Sequence, residues 1–239
     1  MKLNKNTIRF VFALYAIVGI CLISNAQKPA KSNGKESGII IFSDLKYLDI
    51  GKAIKTGTEK TEKDELEFVA SGSDIWGKHD EFHFGCKQLK GDFDVSVQVL
   101  SLSAANKYTK AGIMARSDLS DSSQHVFYQV FPDNSARNKN NGGCEFQYRL
   151  EKGSEMKAIY PNPNTAGNQF NVSYPDTFIR LKRHGNNFEA YFSNDNKTWR
   201  LYTKFELKMP AELFVGLAVT AHNKTNYTTA RFGSYKANL

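Results

Sequence analysis

The polar and apolar residues of this chain alternate at period two across most of its length. Phe93, Val95, Val97 and Val99 interleave with Asp94, Ser96 and Gln98, and Ala111, Ile113 and Ala115 with Lys110, Gly112, Met114 and Arg116. The series continues through residues 126–131, 146–150, 179–181, 188–192, 201–205 and 213–219. Successive side chains of a strand take opposite faces, so this period predicts half-buried antiparallel strands; helical stripes are absent. Turn residues mark the breaks. His184-Gly185-Asn186-Asn187 separates RLKR from FEAYF, and Ser193-Asn194-Asp195-Asn196 separates FEAYF from TWRLY; Gly and Asn tolerate the positive φ of tight hairpins. About a dozen short strands without crossover helices predict one all-β domain, a two-sheet antiparallel jelly-roll sandwich. Two longer polar loops interrupt it, at 132–143 and 160–175.

The first 26 residues break the pattern. Lys2, Lys5 and Arg9 precede an apolar run at 10–23, and Ser24-Asn25-Ala26 supplies small residues, which together predict an export signal. Ile20 before Cys21 disfavours lipoprotein processing, and the run is shorter than the roughly 20 residues of a membrane-spanning helix. The expected organisation is a signal peptide at 1–26, a flexible linker at 27–38 and a sandwich at 39–239. The protein is expected to be secreted or periplasmic, with no stable membrane insertion after cleavage. Cleaving 26 of 239 residues leaves 213, enough for one sizeable core, and lowers the net charge of +8 by three to +5. Several remaining lysines crowd the linker, and no basic stripe with interleaved aromatics occurs, so the charge implies solubility or weak attraction to acidic glycans and no nucleic-acid partner. Cys86 and Cys144 remain in the exported part, where a disulfide can persist. Both share the parity of neighbouring aromatics, so a bridge and two separate core thiols stay open. No CxxC or HxxxH spacing suggests a metal, and no cofactor is expected.

The segments SGSDIWGKHDEFHFGCKQLKGDFDVSVQV, YTKAGIMARSDL, FQYRL, TFIRLKRHGNNFEAYFSNDNKTW and FVGLAVTAHN, in that order, resemble the regulation-of-enolase concanavalin A-like domain family, related to the C-terminal sandwich of some β-xylosidases. The resemblance covers about residues 66–235. Its most specific pieces are D-I-W-G, K-A-G-I-M-A-R and the S-x-D-x-x-x-W hairpin; Asn196 stands where the family's turn usually has Gly, and Ala115 where Ile is common. It implies a concanavalin A-like jelly roll, often exported or beside polysaccharide-degrading modules, and carries no established activity.

By alternation, His83, Gln98, Met114, Arg116, Tyr128, Gln147, Arg149 and Arg180 point away from the apolar sets. If their strands are neighbours, they line one polar surface suited to sugar hydroxyls; an ordinary solvated sheet face is the competing reading. Trp76 and Trp199 sit at turns, where an indole serves either as a sugar platform or as a corner of the core. The expected ligand is a polysaccharide or oligosaccharide. Catalysis is less well supported. The carboxylate pairs Glu65/Glu67 and Asp92/Asp94 are followed at the next same-face position by Val69 and Ser96, which breaks the triple-carboxylate strand of jelly-roll glucanases. A hydrolase or lyase using His83, Tyr128 and Arg116 is one alternative, and a structural or protein-interaction sandwich another. Asp133, Asn134, Asp195 and Asn196 have the oxygens for a structural calcium, although ordinary turns use the same residues.

Overall fold

The strongest alternation, in residues 93–99, forms the middle of a sheet. The structure is a computed structural model that describes residues 39–140, 142–161 and 169–239; the expected signal peptide and linker lie outside the described residues. Sheet I has the order β1 (Lys46–Ile50), β6 (Phe82–Lys90), β15 (Glu212–Thr220), β8 (Lys110–Arg116), β9 (His125–Val130), β10 (Cys144–Arg149) and β11 (Met156–Ile159). Sheet II has the order β14 (Arg200–Glu206), β13 (Asn187–Ser193), β12 (Thr177–His184), β7 (Phe93–Leu102), β16 (Asn223–Asn238), β3 (Glu65–Gly72) and β2 (Thr58–Glu62). A short hairpin, β4 (Ile75–Trp76) and β5 (His79–Asp80), stands apart from both. Neighbouring strands in both sheets are antiparallel, as in a concanavalin A-like jelly roll.

The main core fills the space between the sheets. Sheet II contributes Phe68, Val95, Val97, Ile179, Leu181, Phe188 and Phe192; sheet I contributes Ile113, Val126, Val130, Phe146, Leu213 and Leu217. Each such side chain contributes roughly 1.5–3 kcal/mol on burial. Sheet II shows the clean alternation of a sheet with one wet face: β7 and β12 bury every second residue. In sheet I, β8 and β9 are buried at every position. Its outer face carries a second apolar cluster of Ile50, Ile75, Phe82, Phe84, Met114, Phe127 and Ala218. The β4–β5 hairpin supplies Ile75 and covers that cluster. Its two-residue turn places Gly77 at φ +62°, a conformation open to glycine without strain.

This double burial corrects two expectations and decides between the two alternatives left open for the cysteines. Phe82, Phe84 and Cys86 lie on the outer side of sheet I, so His83 faces inward near the sheet edge. There its ring meets Phe68 edge-on, with Nδ1 2.8 Å from Asp49 and Nε2 3.3 Å from Glu59. Tyr128 also faces the inter-sheet core, against Tyr202. Cys86 and Cys144 are separate buried thiols on opposite faces of sheet I. Four strand steps part them, roughly 19 Å at the usual spacing and far beyond the reach of a disulfide. Burial pushes the Cys86 thiol up to about 12 and the Cys144 thiol higher than its ordinary value, so both are unreactive at neutral pH.

Candidate functional site

The outer face of sheet I is organised in cross-strand rows. Register places Arg116, His125 and Arg149 in one row, Met114, Phe127 and Gln147 in the next, and Gly112, Gln129 and Glu145 in the third. Gly112 is required by close approach, since a Cβ there would meet the Tyr128 carbonyl at 2.2 Å.

The first row is sealed. Asp80 of the hairpin is fully buried and accepts two hydrogen bonds from Arg149, at 2.8 Å and 2.7 Å, with Arg116 Nη2 at 3.6 Å and His125 Nδ1 at 3.7 Å. Arg149 also donates to the carbonyls of Gly77, Ser123 and Ser154, and Arg116 to those of Asp118 and Ser120 while lying over the Phe82 ring. Arg116 and Arg149 are therefore not surface residues; they hold the hairpin onto the sheet. Burial lowers the Arg116 guanidinium to about 10, with Asp80 opposing the shift.

Beyond this row the hairpin, the loops and the edge of β10 enclose a cleft of about 190 Å³. Trp76, 40% exposed as a residue, forms one wall, and Tyr108, Phe131 and Tyr160 add aromatic surface. Lys110, Asp74, His222, Glu145 and Gln147 supply the polar lining. Lys110 is nearly buried; its Nζ lies 2.5 Å from Asp74 and 3.0 Å from the Ile75 carbonyl, under the Trp76 ring. His222 Nδ1 lies 3.1 Å from the same carboxylate. Burial alone would raise the Asp74 carboxyl, but Lys110 and His222 prevail and hold it below its usual range. The 132–143 loop is tied down by buried Arg137, which stacks over Phe131 and bonds the Lys107, Asp133 and Ser135 carbonyls and the Asp133 side chain.

Several buried polar atoms in this region lack protein partners. Glu145 accepts from Gln147 Nε2 at 2.5 Å and from Asn140 Nδ2 at 3.2 Å. The carboxylate fixes which end of the Gln147 amide faces it, so Gln147 Oε1 is left as an unpaired acceptor. Both amide atoms of Gln129, beside Glu145 in register, are unpaired as well. Native proteins rarely leave buried amides unsatisfied, and of these two residues it is Gln147 that lines the cleft, so its Oε1 marks the floor as a place where a polar group of a ligand belongs.

Of the residues predicted to share one groove, the structure brings Trp76 and Gln147 to the cleft, with Arg116 and Arg149 buried beside it. Gln98 and Arg180 lie on the opposite side of the molecule, on the outer face of sheet II, because β7 and β12 belong to that sheet. There Gln98 donates to the Pro175 carbonyl, and Arg180 grips Asp94 and lies over the Trp199 ring. Arg180→Ala is expected to change stability by less than about 1 kcal/mol, as for other partly exposed pairs, and to leave ligand retention unaltered; thermal melting and retention assays check this. Sequence reasoning missed Tyr108, Lys110, Glu145 and His222. Asp133 and Asp195 spend their carboxylates on turns: Asp133 binds Ser135 and Arg137, and Asp195 accepts from the backbones of Lys197 and Thr198. Among the described residues, no group of three or more His, Cys, Asp or Glu side chains gathers as a metal site.

The sheet order and the two faces of sheet I define a concanavalin A-like β-sandwich of the jelly-roll class. The chain is similar to a solved protein of unknown function from Saccharomyces cerevisiae, with a TM-score of 0.62 and 15% identity, covering 83% of this chain and 98% of that one. It is also similar to the carbohydrate binding module CBM66 from Bacillus subtilis, with a TM-score of 0.52 and 15% identity, covering 81% and 95%. The GH43 protein BlXynB from Bacillus licheniformis matches with a TM-score of 0.52 and 9% identity, over 76% of this chain and 38% of that one. No family model and no curated protein matches the sequence, so the likeness stands at the level of the fold.

Proposed function

We propose that this chain is an exported, non-catalytic carbohydrate-binding module whose ligand occupies the Trp76 cleft. The observation that carries the reading is the pairing of a partly exposed indole with a buried, unpaired amide acceptor, Gln147 Oε1, in one cleft. A sugar ring presents an apolar C–H face and a rim of hydroxyls, and such a ligand needs one flat apolar wall and a few placed polar atoms. The likeness to a carbohydrate binding module supports the same reading, and the basic, apolar start of the chain supports export.

Binding fits the cleft better than hydrolysis. A glycosidase acid must hold a proton near neutral pH, which requires a raised pKa. Asp74, the carboxylate beside Trp76, is instead held below its usual range by Lys110 and His222.

Trp76→Ala is expected to weaken retention on the recognised polysaccharide by roughly 10- to 100-fold, the usual cost of removing an aromatic anchor. Melting should change little, because the ring is only partly covered. The check is a panel of neutral and acidic polysaccharides scored for retention and for newly released sugar ends. Retention that depends on Trp76 without new ends supports the proposal; new ends would make the chain an enzyme, and silence across the panel would overturn the carbohydrate reading.

A further inference from the structure

The chain is basic as a whole, yet the charges lining the cleft do not follow that balance. Lys110 is matched by Asp74 and Arg137 by Asp133. Glu145 is different: among the described residues it appears in no ion pair, and its hydrogen-bond partners are the neutral amides of Asn140 and Gln147. It is 6% exposed and lines the cleft floor next to the unpaired Gln147 Oε1. The floor thus presents oxygen acceptors and one uncompensated carboxylate.

We infer that the cleft selects uncharged sugar units, whose hydroxyls donate to Gln147 Oε1 and the Glu145 carboxylate, and rejects uronate or sulfated units at this subsite. The inference deepens the carbohydrate reading and rests on it. A hydroxyl donates to an acceptor at no charge cost. A ligand carboxylate or sulfate brings only acceptors and places like charges together in a partly desolvated pocket, where repulsion is strong. Net positive charge elsewhere acts through solvent and is screened within about 8 Å at physiological ionic strength, so it does not offset a contact inside the cleft.

The experiment compares retention of the full chain on three matched polymers at pH 8, where an ordinary imidazole is neutral: a neutral galactan, polygalacturonate, and the methyl ester of that polygalacturonate. The same comparison is run on a xylan and its glucuronic-acid-substituted form. At physiological salt the neutral member of each pair is expected to be retained at least about tenfold more tightly than the acidic one, which corresponds to one well-placed charge contact. Methyl esterification, which removes the charge from the ligand and leaves the protein untouched, should restore most of the loss. Glu145→Gln should narrow the gap, raising the ratio of acidic to neutral retention by a similar factor, and this ratio is the readout whatever the variant does to neutral binding itself.

Equal or tighter retention of the acidic polymers by the wild-type chain overturns the selectivity. A folded Glu145→Gln variant that keeps the wild-type ratio overturns the role of Glu145. If that variant fails to fold, the ester comparison decides alone: an ester retained as poorly as the acid counts against a charge effect. Absence of retention for every neutral and acidic polymer is a different result, because it removes the carbohydrate reading itself.

Discussion

Asp80→Ala is expected to lower folding stability by about 3–5 kcal/mol, the range found when one partner of a buried ion pair is removed. Asp80 is fully buried, and so are the two guanidiniums facing it, Arg149 and Arg116. Deleting the carboxylate leaves two cations without the anion that both approach, and the surrounding carbonyls satisfy their N–H groups but not their charge. For a domain of this size the loss corresponds to a fall in Tm of roughly 10 °C. Asp94→Ala, which breaks the partly exposed pair with Arg180 on the other sheet, should cost less than about 1 kcal/mol. Denaturant titration of both variants checks the contrast. In the double variant Asp80→Ala with Arg149→Met, one unpaired charge is gone, so part of the loss should return. An Asp80→Ala protein within about 1 kcal/mol of wild type would mean that the hairpin lifts and lets water reach the guanidiniums. In that case cleft binding should weaken too, because Trp76 rides on the same hairpin.

The contrast between the sheets also explains which parts of the molecule were legible in the sequence. β7 and β12 lie in a sheet with one wet face, so Phe93 to Val99 and Ile179 to Leu181 announce their inward set by alternation alone. The turn at His184–Asn187 is legible for the same local reason: Gly185 adopts φ +59°. In β8, β9 and the first half of β6 both faces are buried, and alternation then carries no direction. Residues 126–130, Val-Phe-Tyr-Gln-Val, offer an apolar set in either phase, which is why Tyr128 was expected outside and lies inside. His83 was misplaced by the same ambiguity, because Phe82 and Phe84 fill the second cluster under the hairpin. The split of the predicted groove has another cause. Local pattern does not say which sheet a strand joins, and the order β6–β15–β8–β9–β10 requires pairings as distant in sequence as Leu89 with Leu213. Trp76 was recognisable as a turn indole, but Lys110, at the start of β8, and Tyr108 and His222, in loops, reach the cleft from segments whose meeting depends on that order.

His125 should make the fold acid-sensitive before the carboxylates begin to protonate. The imidazole is fully buried, with Nδ1 donating to the Ser123 carbonyl at 3.0 Å and Nε2 without a partner. Burial pushes it down to about 4 from an ordinary 6.5; Asp80 pulls the other way, and Arg116 and Arg149 add to the lowering. A histidine depressed in the folded state takes up its proton first in the unfolded chain, so stability falls as pH drops from about 6.5 toward about 4. A shift of this size corresponds to about 3 kcal/mol once the window has been crossed. The carboxylates held near 2, Asp118 and Asp133, lose their contributions only below about 4, which leaves the interval from pH 6.5 to 4.5 to groups of the histidine kind. Denaturant midpoints at pH 7, 5.5 and 4.5 should therefore decline steadily for the wild-type chain and more shallowly for His125→Gln, which cannot be protonated. Parallel declines in the two proteins would show that His125 either charges in the folded state or is reached by water, and that the Asp80 row is less sealed than its burial implies.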